Sequence, residues 1–73
     1  SGLTSRETRI LELLPQHDLR YADIAKELGI SEETVKTRVQ HIGQKINTSG
    51  GRWPIVARAR ELGLLSAEEN RRR

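Results

Sequence analysis

The sequence predicts an all-α fold, a bundle of four helices. Three observations carry that expectation. Apolar residues recur at helical spacing in four separate stretches, and no segment alternates apolar with polar as a half-buried strand would. Glycine, proline and small capping residues stand between those stretches, where helices start and stop. The chain has 73 residues, 34% of them apolar, and no cysteine. That is enough for one core of packed helices, with no disulfide or thiolate metal site to brace it.

Ser1-Gly2 is set apart as a cloning remnant, and the folded domain is expected over residues 3–65. Thr4-Ser5-Arg6-Glu7 has the T-x-x-E form of a capping box. Ile10, Leu11, Leu13 and Leu14 follow as an apolar stripe and Pro15 stops it, giving a first helix over roughly residues 5–14. The second helix runs from Tyr21 to Leu28, with Ile24, Ala25 and Leu28 on one face and Gly29 as its left-handed end. Its start has Arg20 where Ser or Asn would be expected, and Asp18, slightly upstream, is the alternative cap.

Ser31 is the N-cap of a third helix, with Glu32 and Glu33 in its positive first turn. Val35, Val39, Ile42 and Ile46 continue it as an unbroken stripe over roughly residues 32–46. Asn47 to Gly51 is a loop by composition. Pro54 suits the first turn of a fourth helix, with Ile55, Ala59 and Leu62 as the inner stripe, Gly63 as the end, and Leu64 and Leu65 folding back on the core. Residues 66–73, ending in Arg71-Arg72-Arg73, are expected to be a disordered basic tail.

Charge is distributed unevenly. Residues 1–30 carry net −1, residues 31–60 net +4 and residues 61–73 net 0, within a total of +3. Both acids of the middle block, Glu32 and Glu33, sit at its start, so residues 36–60 are basic with no acid. Such asymmetry points to a polyanionic partner, against the plainer reading of a solvated charged face.

Ala25, Gly29 and Val35 stand at i, i+4 and i+10. A small residue lets two helices approach, glycine makes the turn, and a β-branched residue packs into the crossing. This is the helix-turn-helix pattern, whose second helix enters the DNA major groove. At about 100° per residue, Glu33, Thr37, Gln40, His41 and Gln44 point away from the apolar stripe of the third helix, with Lys36 on one flank and Thr34, Arg38 and Lys45 on the other. Gln bonds adenine, Lys donates to guanine and a Thr methyl touches a thymine methyl. Flanking cations suit phosphates.

With those residues in place, the chain resembles the LuxR/FixJ-type DNA-binding domain of bacterial transcriptional regulators. The resemblance rests on Leu3-Thr4-Ser5-Arg6-Glu7, Ile24-Ala25, Leu28-Gly29-Ile30-Ser31, Thr34-Val35-Lys36-Thr37 and Glu61-Leu62-Gly63-Leu64-Leu65, and spans roughly residues 3–65. It implies a transcription-regulator domain whose third helix reads double-stranded DNA and whose fourth supports a weak homodimer on DNA. It places Lys36, Thr37 and Gln40 at base-reading positions and Thr34 and Lys45 at phosphate positions. Arg38 and His41 join the expected phosphate set, and Tyr21 is either packing or a further phosphate contact. Four residues depart from the family pattern. Arg38 stands where His is frequent, and Arg20 replaces a small cap. Gly43 replaces a large apolar residue, which would weaken the helix by ~1 kcal/mol relative to Ala. The loop before Arg52 is one residue longer.

Trp53, Val56, Ala57 and Arg60 fall on the outer side of the fourth helix and form the expected dimer patch; alternatively Trp53 folds over the Gly-rich loop and fills the core. The implied setting is the C-terminal output domain of a larger cytoplasmic regulator, with RNA polymerase as a further partner. The alternatives are a sigma-factor promoter-recognition helix-turn-helix and a helical protein-interaction module without DNA binding. Neither His17 nor His41 is read as a metal ligand, and no Ser/His/Asp set or phosphate-binding glycine loop is present. Enzyme activity, a cofactor, a small-molecule ligand and a membrane span are therefore not expected.

Overall fold

The computed structural model of the protein describes residues 2–65. It contains four helices in chain order: α1 (Ser5–Leu13), α2 (Tyr21–Leu28), α3 (Glu32–Lys45) and α4 (Arg52–Glu61). The expected basic tail lies outside the described residues. Among the described residues no helix is long and apolar enough to cross a membrane.

Local chemistry sets the helix ends. At α1 the Glu7 N–H donates to Thr4 Oγ1 (3.1 Å) and the Thr4 N–H donates to Glu7 Oε1 (2.9 Å), a complete capping box. At α3 the Thr34 N–H donates to Ser31 Oγ at 3.1 Å. The start of α2 differs from expectation. Asp18 does not cap it; instead the Asp23 carboxylate, one turn inside, accepts from the Arg20 N–H at 2.9 Å. Arg has no acceptor to offer, so only this half of a capping box is available.

Three helices close in the same way. Gly29, Asn47 and Gly63 have φ of 70°, 63° and 79°. Beyond each, a backbone N–H reaches back to the helix: Ile30 to Ala25 O (3.0 Å), Thr48 to Gly43 O (2.8 Å) and Leu64 to Ala59 O (2.8 Å). This is the Schellman arrangement, which needs a left-handed residue. Asn47 supplies it at α3 without glycine.

α3 packs against all three other helices. Val35, Val39, Ile42 and Ile46 are buried in one cluster with Ile10, Leu11 and Leu14 from the first helix, Ile24 and Ala25 from the second, and Ile55, Val56 and Ala59 from the fourth. The inner face of α4 corrects the sequence reading. Val56 is 3% exposed and Leu62 47% exposed, so the buried stripe is Ile55, Val56 and Ala59. The chain leaves the helix at Leu62 and turns at Gly63, and Leu65 fills the core position instead.

Long-range polar contacts lock the helices together. Glu7, 3% exposed, receives the Lys45 ammonium at 2.7 Å, and Lys45 also donates to Gly2 O at 3.1 Å. Burial alone would raise the Glu7 pKa; Lys45 and the Thr4 N–H outweigh it, and the carboxyl sits below its ordinary value. Arg52 Nε donates to Leu14 O (2.9 Å) and its Nη2 to Gln16 O (2.8 Å), tying the start of α4 to the end of α1. Arg58 Nε donates to Ile46 O at 3.0 Å, covering a carbonyl at the end of α3.

Gly43 has a specific reason for lacking a side chain. A Cβ there would lie 2.6 Å from Ser49 O and 3.1 Å from Gly50 Cα. The loop after α3 folds back onto that helix, and the large apolar residue of the family pattern would occupy the same space.

Candidate nucleic-acid interface

Because the buried stripe of α3 faces the other helices, its opposite side is open. Glu33, Thr37, Gln40, His41 and Gln44 are all exposed there, and Lys36 is exposed on the flank. Lys36 has no ion-pair partner among the described residues. The Thr37 hydroxyl donates to Glu33 O at 3.1 Å, which fixes its rotamer. Gln40 lies beside the α3–α4 loop: a Cβ on Gly50 would sit 3.3 Å from its Cγ. The three expected base-reading residues are thus all exposed within about one turn of helix, Lys36 beside the outward-facing Thr37 and Gln40.

The expected phosphate residues divide. Thr34, half-buried, shares a 2.8 Å hydrogen bond with Ser31 Oγ, so its hydroxyl belongs to the helix cap. Arg38 is half-buried, with its Nε enclosed and without an acceptor among the described residues. Together with Glu33, Thr34, Thr37 and His41 it lines a shallow depression along the open face. Lys45 does not stand free for a phosphate. Its ammonium is held by Glu7, a contact invisible in the sequence because Glu7 there reads only as a cap. Tyr21 is half-buried with the Arg52 guanidinium over its ring, 5.7 Å from the centroid. Burial raises the Tyr21 pKa and Arg52 opposes this only in part, so its hydroxyl stays a neutral donor.

The basic surplus of residues 31–60 is therefore smaller as a surface property than as a count. Lys45, Arg52 and Arg58 are engaged within the fold. Lys36 and Arg38 remain on the open face of α3.

The expected dimer patch is also revised. Val56 is buried and cannot line a free surface. Ala57 is exposed and Arg60 half-buried, its enclosed Nε without a partner among the described residues. Trp53, 45% exposed, does not fill the core. It stacks on His17 with centroids 4.7 Å apart and lies under the Arg52 guanidinium at 4.9 Å. The ring is used as a platform joining the α1–α2 loop to α4. Sequence reading missed Arg52 and Gly50; the extra loop residue and the Gly-Gly pair before Arg52 were the available signals.

Residues 1–52 match the family described as GerE, "Bacterial regulatory proteins, luxR family". The chain is 41% identical over 54 residues to the spore germination protein GerE of Bacillus subtilis (strain 168), covering 74% of this chain and 72% of that one. No solved structure matches the chain significantly. The family match, the relative and the exposed polar face of α3 agree: the chain belongs to the luxR family of bacterial regulatory proteins, DNA-binding regulators of transcription.

Proposed function

We propose that the chain binds double-stranded DNA sequence-specifically, with α3 in the major groove. Supporting this reading above all are the exposed Thr37 and Gln40 opposite the buried stripe of one helix, with the exposed Lys36 on their flank. A rigid helix whose back is packed in a core can present such a row to base edges without reorganising. In this reading Lys36 donates to guanine, Gln40 bonds adenine, and the Thr37 methyl meets a thymine methyl. Arg38 and His41 contact phosphates beside them, Thr34 holds the helix start against the backbone, and the neutral Tyr21 hydroxyl is a further donor. Trp53, Ala57 and Arg60 support a weak homodimer on paired half-sites. The setting is the bacterial cytoplasm, on the nucleoid, as the output domain of a larger regulator with RNA polymerase as a partner.

Gln40→Ala tests this directly. It should cost about 1–3 kcal/mol on the preferred duplex and little on random DNA, since a base contact carries sequence identity and a phosphate contact does not. Titrations on both duplexes read it. An equal loss on the two would mean that Gln40 does not face base edges.

A further inference from the structure

We propose that Gly50 is a positioning residue for base recognition, acting through Gln40: the α3–α4 loop fences the Gln40 stem and so sets the aim of its amide. This rests on the base-reading role given to Gln40 above. The geometry begins at Asn47, whose φ of 63° reverses the chain at the end of α3. The Thr48 N–H then donates to Gly43 O at 2.8 Å, directing the loop back along the helix. Gly43 leaves the room it needs, since Ser49 O lies 2.6 Å from where a Gly43 Cβ would be. One residue further, Gly50 comes to rest against Gln40. A Cβ built on Gly50 would lie 3.3 Å from Gln40 Cγ, 3.5 Å from its Cα and 3.8 Å from its Cβ.

The loop cannot readily move away. At one end it is tied by the Thr48–Gly43 hydrogen bond. At the other, Gly51 caps α4 and Arg52 is bonded to Leu14 O and Gln16 O. The Gln40 stem rests against this pinned wall, its Cγ nearer than its Cα or Cβ to where a Gly50 Cβ would be, so the loop limits the rotamers open to it. With Cγ seated there χ1 is restricted, and χ1 decides the direction in which the amide leaves the stem. A side chain restricted in the free protein loses less freedom on binding, and a two-point contact with adenine is sensitive to the direction of the amide plane. The two glycines, one on each side of the contact, thus have a shared purpose. Gly43 admits the loop, and Gly50 lets it stand close to Gln40 without displacing it.

Gly50→Ala is the informative change. Gly50 does not have a positive φ, so its backbone accepts alanine. The new methyl would press on the flexible Gln40 Cγ and shift it by a few tenths of an ångström. The experiment compares the wild-type chain, Gly50→Ala, Gln40→Ala and the double variant. Each is titrated on a duplex selected from a random library by the wild-type chain and on a scrambled duplex, with thermal unfolding recorded for each. Gly50→Ala should reduce discrimination between the two duplexes by about two- to tenfold, the range for mis-setting one ordered side chain. It should change nothing further in the Gln40→Ala background. Unaltered discrimination by Gly50→Ala, or the same loss in both backgrounds, would overturn the proposal. If Gln40→Ala alone left discrimination intact, the base-reading role itself would fail, and the positioning role with it. Should Gly50→Ala unfold, side-chain couplings of Gln40 in the free wild-type chain decide the matter. One dominant χ1 rotamer supports the fence, and averaging over several wells overturns it.

Discussion

Glu7 carries more of the fold than its place in a capping motif suggests. Its carboxylate closes the start of α1 and also takes the ammonium of Lys45 at the far end of α3. The site is buried on the Glu7 side, while the Lys45 side chain is 38% exposed. A charged hydrogen bond of this kind is worth about 1.5–3 kcal/mol when enclosed, and the exposure of Lys45 brings it toward the lower figure. Because the folded-state pKa of Glu7 is depressed, the stabilisation is fully present above the ordinary carboxylate value of 4.5 and is lost as pH falls through the lower native value. Glu7→Gln should therefore lower stability at pH 7 by about 1–2 kcal/mol. The gap to wild type should narrow below the ordinary carboxylate range. Denaturant unfolding at several pH values measures both, and a gap that stayed constant down to strong acid would remove the ion pair from the account.

At the scale of elements, α4 is the helix whose facing the sequence misjudged. Ile55, Val56, Ala59 and Leu62 offer two overlapping stripes in a short helix, and periodicity alone does not choose between them. Packing chose the stripe containing Val56. Val56→Glu should accordingly unfold the domain, costing several kcal/mol for an unpaired charge in the core. Ala57→Glu probes the outer face instead. It should leave the melting curve and binding to one half-site nearly unchanged, while reducing cooperative binding to two half-sites a helical turn apart. Gel-shift titrations on one and two half-sites would read this. Undiminished cooperativity would move the dimer surface off α4.

For the whole molecule, the electrostatic expectation changes once the internal contacts are known. Six cations in residues 31–60 would serve roughly three to five phosphates if all were free, but Lys45, Arg52 and Arg58 are committed to the fold. Each phosphate neutralised contributes about −0.9 to the log–log salt slope on duplex DNA. Two or three available cations per protomer give a slope of about −2 to −3. Affinity titrations between low and physiological salt test it. A slope of −5 or steeper per protomer would mean that the internal pairs open on DNA.

The four helices, most of their ends and the facing of α3 are legible in the chain alone. Those depend on interactions within a turn or so of chain: Thr4 with Glu7, Ser31 with Thr34, the left-handed turns after α2 and α4, and a stripe long enough at α3 to have one facing only. The family resemblance was legible for the same reason, since its motifs are these local devices. The rest arises between residues distant along the chain. Glu7 and Lys45, and Leu14 and Arg52, are each 38 positions apart, and no local pattern couples them. The role of Gly43 is of this kind too: read locally it weakens a helix, and only the folded-back loop shows the space it must leave. Caps and periodicity are written in neighbouring residues, whereas partner choice and close approach arise only after packing has brought remote surfaces together.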